Sequence, residues 1–153
     1  MSRVRTKALK AFTTIELLLV VAIMAILATS AMAFIVTYYT TAVVDSEMNI
    51  IRVRLQRARQ LAVGNATGEA YSIKFTGSNY IMFPGTTYSV SDPDNTVFTM
   101  DTGVFVSTTF SNDLVTFNSY TGRVTSPGSV TIQAGTFTKQ IIINALGIVE
   151  DII

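Results

Sequence analysis

The 153-residue chain contains neither cysteine nor histidine, and only 14% of its residues are charged. Without cysteine there is no disulfide framework and no thiolate metal site. Without histidine the commonest general base and the commonest metal ligand are missing. Serine and threonine are plentiful, but no imidazole can activate them and no Gly-x-Ser-x-Gly elbow occurs. No glycine-rich phosphate loop is present either. These absences point away from an enzyme and from a bound cofactor.

Hydrophobic residues make up 49% of the chain, which is oily for a domain of this size. The excess is concentrated. Leu17 to Val36 is a run of twenty residues with no charge, proline or glycine. A helix of that length rises about 30 Å, the thickness of a bilayer core. The run predicts a membrane-embedded helix over roughly residues 16–36. Arg3, Arg5, Lys7 and Lys10 precede it with no acid among them, and the rest of the chain holds seven basic residues against ten acidic ones. That asymmetry keeps the leader cytoplasmic and exports the remainder of the chain. An exported head without cysteine must hold together by packing and strand pairing alone.

The pattern divides the chain into three regions: a basic leader over 1–11, one long helix over 12–63, and a β-rich head over 64–153. The helix is expected to continue past the membrane because Met48, Ile51, Leu55, Ala58 and Ala62 recur at three- and four-residue spacing. Ile50, Val53, Arg57 and Leu61 form a second, mixed face. A helix with two such faces should touch its own strands on one side and neighbouring copies on the other. Tyr38 and Tyr39, among Thr37, Thr40 and Thr41, suit a membrane interface. Asp45 and Glu47 precede Arg52, Arg54, Arg57 and Arg59 in an order that favours charge neighbours along the helix. Gly64-Asn65 and Gly68 end it. Beyond, EAYSIKF, NYIMFPG, TVFTM, residues 114–117, SVTIQA, KQIIINA and GIVEDII read as short strands separated by turns. They predict an antiparallel meander.

One carboxylate, Glu16, stands at the mouth of the apolar run in KAFTTIELLLVVAIMAILA. A plain signal anchor leaves it unexplained. So does a secretory signal peptide cut after Ala31-Met32-Ala33, before Phe34. The stretch resembles the N-terminal signature of type IV pilins and type II secretion pseudopilins. The helix carrying ARQLAVGNATG into strands, and the YTGRV turn ahead of SVTIQ and QIIINALGIV, resemble in layout the H-type minor pseudopilins. Ala11 stands where the family usually has glycine, Thr14 where it usually has leucine, Ala25 in place of a common glycine and Ala33 in place of a frequent proline.

The resemblance implies an α+β pilin-like fold: a long N-terminal helix, transmembrane in its first half, packed on a small antiparallel β-sheet head. It implies cleavage by a prepilin peptidase between Ala11 and Phe12, and N-methylation of Phe12. Cleavage turns a neutral amide into an ammonium. A carboxylate near hydrocarbon is costly, and the ammonium of a neighbouring subunit can offset that cost, so the Glu16–Phe12 charge pair would set the stagger of packed helices. The subunit's own amine, one turn away, is a competing partner. The implied partners are other pilin or pseudopilin subunits, the peptidase, an inner-membrane assembly platform and the lipid bilayer. The implied location is the bacterial inner membrane, single-pass with the head outside, and then a periplasmic or extracellular filament, with a minor subunit at or near the tip as the narrower form.

The alternative class is a signal-anchored or secreted β-domain that binds a ligand and forms no filament. Two further features have competing readings. The arginines at 52–59 could attract DNA, but they spread around the helix, which favours a solvated or subunit-facing surface. Asp92 and Asp94 could lend oxygens to calcium, but an isolated Asp-Pro-Asp-Asn turn falls short of the six to eight such an ion takes. Tyr80, Phe83 and Tyr88 read as core or sheet residues, not a base-stacking platform.

Overall fold

The computed structural model describes residues 12–64 and 68–152, without the side chains of residues 30–34, 151 and 152. The expected leader, Asn65 and the alternative cleavage site at 31–34 lie outside the described residues or side chains. The chain divides into two compact units, at Tyr38 and Tyr39. A single helix, α1 (Thr14–Gly64), runs through that boundary.

In the first unit α1 carries Leu17, Leu18, Leu19, Val20, Val21, Ile23, Met24, Ile26 and Leu27, all exposed. Consecutive positions point around the whole helix, so the surface is apolar on every side rather than amphipathic. Among the described residues no helix is long and apolar enough to cross a membrane. The expected span is therefore not recovered as such; the undescribed side chains fall inside the uncharged run.

In the second unit the helix is amphipathic. Val44, Met48, Ile51, Leu55, Ala58 and Ala62 are buried at spacings of four and three, one face of a 3.6-residue period. Eight strands receive that face. One antiparallel sheet has the order β3 (Thr96–Thr99), β2 (Asn79–Pro84), β1 (Tyr71–Phe75), β5 (Leu114–Phe117). The other has the order β4 (Val104–Thr108), β6 (Gly128–Ala134), β7 (Phe137–Ile143), β8 (Val149–Ile152). Ile73, Phe75, Val115 and Phe117 from the first sheet and Val104, Val130, Ile132, Ile141 and Ile143 from the second join the helix stripe in one core.

The arrangement is two sheets, not one meander. The difference lies in β4, a strand that hydropathy alone does not single out. Its alternating Val104 and Val106 are buried while Phe105 and Ser107 face out, and the buried pair serves the same core as Val130 and Ile132 of β6. The chain therefore leaves the first sheet at Asp101-Thr102-Gly103, pairs β4 with β6, and returns to place β5 beside β1. The sheets also meet directly: the Val106 amide donates to the Gly77 carbonyl at 2.9 Å.

The outer face of β1–β2 is covered too, which explains four consecutive buried residues in β2. The Ser72 hydroxyl donates to the Gly85 carbonyl at 2.6 Å and bonds Thr116 Oγ1 at 2.9 Å. The Tyr88 ring packs on Phe83 at 5.5 Å between centroids. Tyr80 and Phe83 are thus core residues, as their β-prone sequence context suggested.

This packing makes two outcomes testable. Leu55, fully buried in the centre of the stripe, contributes through contacts that alanine cannot replace; Leu55→Ala should cost about 2–5 kcal/mol in chemical denaturation. Tyr80 is buried, and burial raises its phenol above the ordinary value of 10.0, opposed by a hydrogen bond and charge from Arg54 and reinforced by Glu47. The folded state thus favours the neutral phenol. The stability this contributes is complete below pH 10 and is lost as pH rises through the elevated folded value. Tyr80→Phe should cost about 0.5–1.5 kcal/mol at pH 7, and its deficit should narrow in unfolding curves measured above pH 10.

Candidate assembly site on the N-terminal helix

The start of α1 has a defined chemistry. Thr13 is the residue before the helix, and its Oγ1 accepts the Glu16 amide at 3.4 Å. Its carbonyl accepts the amides of Glu16 at 3.1 Å and Leu17 at 3.2 Å. Thr13-x-x-Glu16 is the spacing of a capping box, in which a threonine satisfies one of the orphan amides at a helix start. Glu16 also sits in the first turn, where the helix dipole favours a negative charge. The Thr-x-x-Glu spacing in the sequence signals this helix start, which a reading of Glu16 for assembly alone passes over.

Phe12 and Glu16 are both exposed. Glu16 follows Phe12 by four residues, with Phe12 just ahead of α1 and Glu16 at the edge of the apolar surface. Ala11, the other half of the expected cleavage site, lies outside the described residues. Among the described residues of the first unit, nothing covers the leucine-rich surface next to Glu16.

In the second unit the expected mixed face divides. Ile50, Val53 and Arg57 are exposed, while Leu61 is half-buried against the core. Val53, Gln56, Arg57, Gln60 and Leu61 line an open groove of about 420 Å³. The helix thus keeps one face for its own strands and leaves another outward.

The charged residues go to separate partners. Arg54 lies over the Phe98 ring at 4.2 Å and donates to the Tyr80 hydroxyl, and Phe98 stacks on Tyr80 at 5.0 Å. The Arg59 Nε donates to the Gly122 carbonyl at 3.3 Å. Arg57 lines the groove. Asp45 pairs with Lys139 of β7. Glu47 is 5% exposed, and its carboxylate accepts the Asp101 amide at 2.9 Å, holding the β3–β4 turn to the helix. Beside the expected order along the helix, these charges make tertiary clamps. The Asp92 region is a closed turn: Asp92 Oδ1 accepts the Asp94 amide at 3.0 Å. Among the described residues no cluster of three acidic residues could hold a metal ion.

No protein-family model and no curated protein sequence matches the chain. Solved structures do. The type IV minor pilin FimU of Pseudomonas aeruginosa superposes with a TM-score of 0.56 at 18% identity, over 70% of this chain and 90% of that one. A second crystal form of FimU gives 0.55 at 15% identity, over 73% and 87%. The minor pseudopilin EpsH of the Vibrio cholerae type 2 secretion system gives 0.53 at 12% identity, over 71% and 94%. With its long helix packed on small antiparallel sheets, the chain has the pilin-type α+β fold shared by a type IV minor pilin and a type II secretion minor pseudopilin.

Proposed function

We propose that the chain is a structural filament subunit of a type IV pilus or a type II secretion pseudopilus, assembled through its N-terminal helix. The observation that carries this reading is the first half of α1: its large apolar side chains face outward on every side, while the second half is packed on a pilin-type head. Such a surface needs hydrocarbon or other helices around it. A bilayer before assembly and a bundle of like helices afterwards supply both in turn.

In this reading prepilin peptidase removes the leader between Ala11 and Phe12 and methylates the new amine of Phe12. The ammonium and Glu16 then provide opposite charges at the head of each helix. Glu16 of one subunit meets the amine of its neighbour, and the stagger between helices is fixed by that contact. The leader faces the cytoplasm before processing, the head lies outside the inner membrane, and an assembly platform draws the subunit into a filament. The role is structural rather than catalytic. The minor position, at or near the tip, is the narrower form; it is supported by the fold shared with two minor subunits.

The place of Glu16 in the first turn of α1 makes one substitution decisive. Glutamine keeps the size of the side chain and the spacing of a capping box, which takes either residue at this position, but removes the charge. Glu16→Gln should therefore leave helix content and membrane insertion intact while incorporation into sheared filaments falls at least tenfold. Incorporation equal to the parent chain would show that the Glu16 charge has no part in assembly.

A further inference from the structure

The stretch of α1 without charge does not end at Val36. No charged residue occurs between Glu16 and Asp45, and Asp45 is paired with Lys139. Where this neutral stretch meets the head, Tyr39, Val43, Thr102, Gly103, Ala134 and Gly135, all of the second unit, line a hollow of about 210 Å³. Its walls come from the helix, the β3–β4 turn and the β6–β7 turn.

Those walls are held in place. The buried Glu47 carboxylate accepts the Asp101 amide at 2.9 Å, and the Val104 amide donates to the Asp101 carbonyl at 3.1 Å. The Gly135 carbonyl accepts Nε2 of Gln133 at 3.1 Å. Glycine keeps the mouth open. Gly103 has φ +86° and Gly135 φ +57°, a backbone that favours glycine, and a Cβ at either position would meet nothing within 4 Å.

The lining selects its occupant. It contains no charged residue, so an ionic group has no counter-charge inside it. The hollow is smaller than the pockets that take drug-sized ligands, which suits one end of a flexible apolar chain. Tyr39, 69% exposed, joins an apolar ring to a hydroxyl, the combination favoured at membrane–water interfaces. Position along the helix points the same way. Tyr39 follows Val36 by three residues and Val43 follows it by seven; seven residues of helix rise about 10 Å. The polar layer on each side of a bilayer is roughly 5–8 Å deep. With the hydrocarbon ending at Val36, Tyr39 falls within that layer and Val43 at its outer edge.

We infer that this hollow binds a phospholipid of the membrane that holds the first half of α1. The glycerol end of an acyl chain lies against Val43, Gly103 and Gly135, the hydroxyls of Tyr39 and Thr102 stand at the level of the ester groups, and the phosphate stays outside. The lipid steadies the head on the membrane surface before assembly and is left behind when the subunit is drawn out. The inference rests on the membrane-embedded half of the filament reading and adds to it a lipid ligand for the head itself.

The chain has no tryptophan, so a single introduced one reports on its own surroundings. The full-length chain is reconstituted in phosphatidylcholine vesicles that carry a nitroxide quencher at the glycerol end of the acyl chain. Ile35→Trp reports insertion of the first half of α1. Thr102→Trp reports the hollow, with Thr136→Trp on the adjoining turn as a second reporter should the first not fold. Leu146→Trp reports the far end of the head: it adjoins Gly147, which packs near Arg59, about 24 Å along α1 from Val43. The nitroxide should quench the tryptophans at 35 and 102 at least twofold and leave the one at 146 unchanged. Val43→Phe fills the hollow; added to Thr102→Trp it should remove at least half of the quenching there, and added to Ile35→Trp it should change nothing. A tryptophan at 102 or 136 quenched no more than the one at 146 would overturn the inference and leave the filament reading standing. So would quenching at 102 that Val43→Phe does not reduce. An unquenched Ile35→Trp would overturn the lipid site together with the membrane half of the filament reading.

Discussion

An apolar helix surface has to be covered, and this chain covers only part of its own. From Val44 to Ala62 the helix turns a narrow stripe toward two sheets and buries it; from Leu17 to Leu27 it presents aliphatic side chains in every direction. The head depends on the first fact. Leu55, Ala58 and Ala62 let both sheets close on one core, and the clamps at Glu47–Asp101 and Arg59–Gly122 hold the surrounding turns to the helix. The proposed biology depends on the second. A surface without sidedness cannot settle on a small head; it asks for a lipid phase or for a ring of similar helices.

Much of the head was legible because its signals are periodic. The Met48–Ile51–Leu55–Ala58–Ala62 spacing identified the buried stripe, and NYIMFPG, KQIIINA and GIVEDII each became strands β2, β7 and β8. The partition into two sheets was not legible. It is decided by β4, which carries only two buried valines, and by the return of β5 to β1 past three intervening strands. Such pairing depends on which faces share a core, and hydropathy does not encode that. The order of acids before arginines shows neighbours along the helix, and Arg54 and Glu47 both act on Tyr80; the partners Lys139 and the Asp101 amide, distant in sequence, are not legible in it.

The candidate site was legible in composition and incomplete in role. A lone glutamate ahead of twenty uncharged residues is conspicuous, and its exposure next to an uncovered apolar surface agrees with an intermolecular task. Thr13 adds a second task. A first-turn carboxylate is placed favourably by the helix dipole, so the same side chain can favour the helix start and stand ready for an external cation. The helix dipole lowers the local cost of keeping a charge near the apolar run; it does not supply the counter-charge. That cation exists only if the chain is cut before Phe12.

The intact mass of the protein purified from cells that contain a prepilin peptidase tests this most directly. The account predicts a chain that lacks residues 1–11 and begins at an N-methylated Phe12. A chain that still begins at Met1, or one that begins at Phe34, would contradict it.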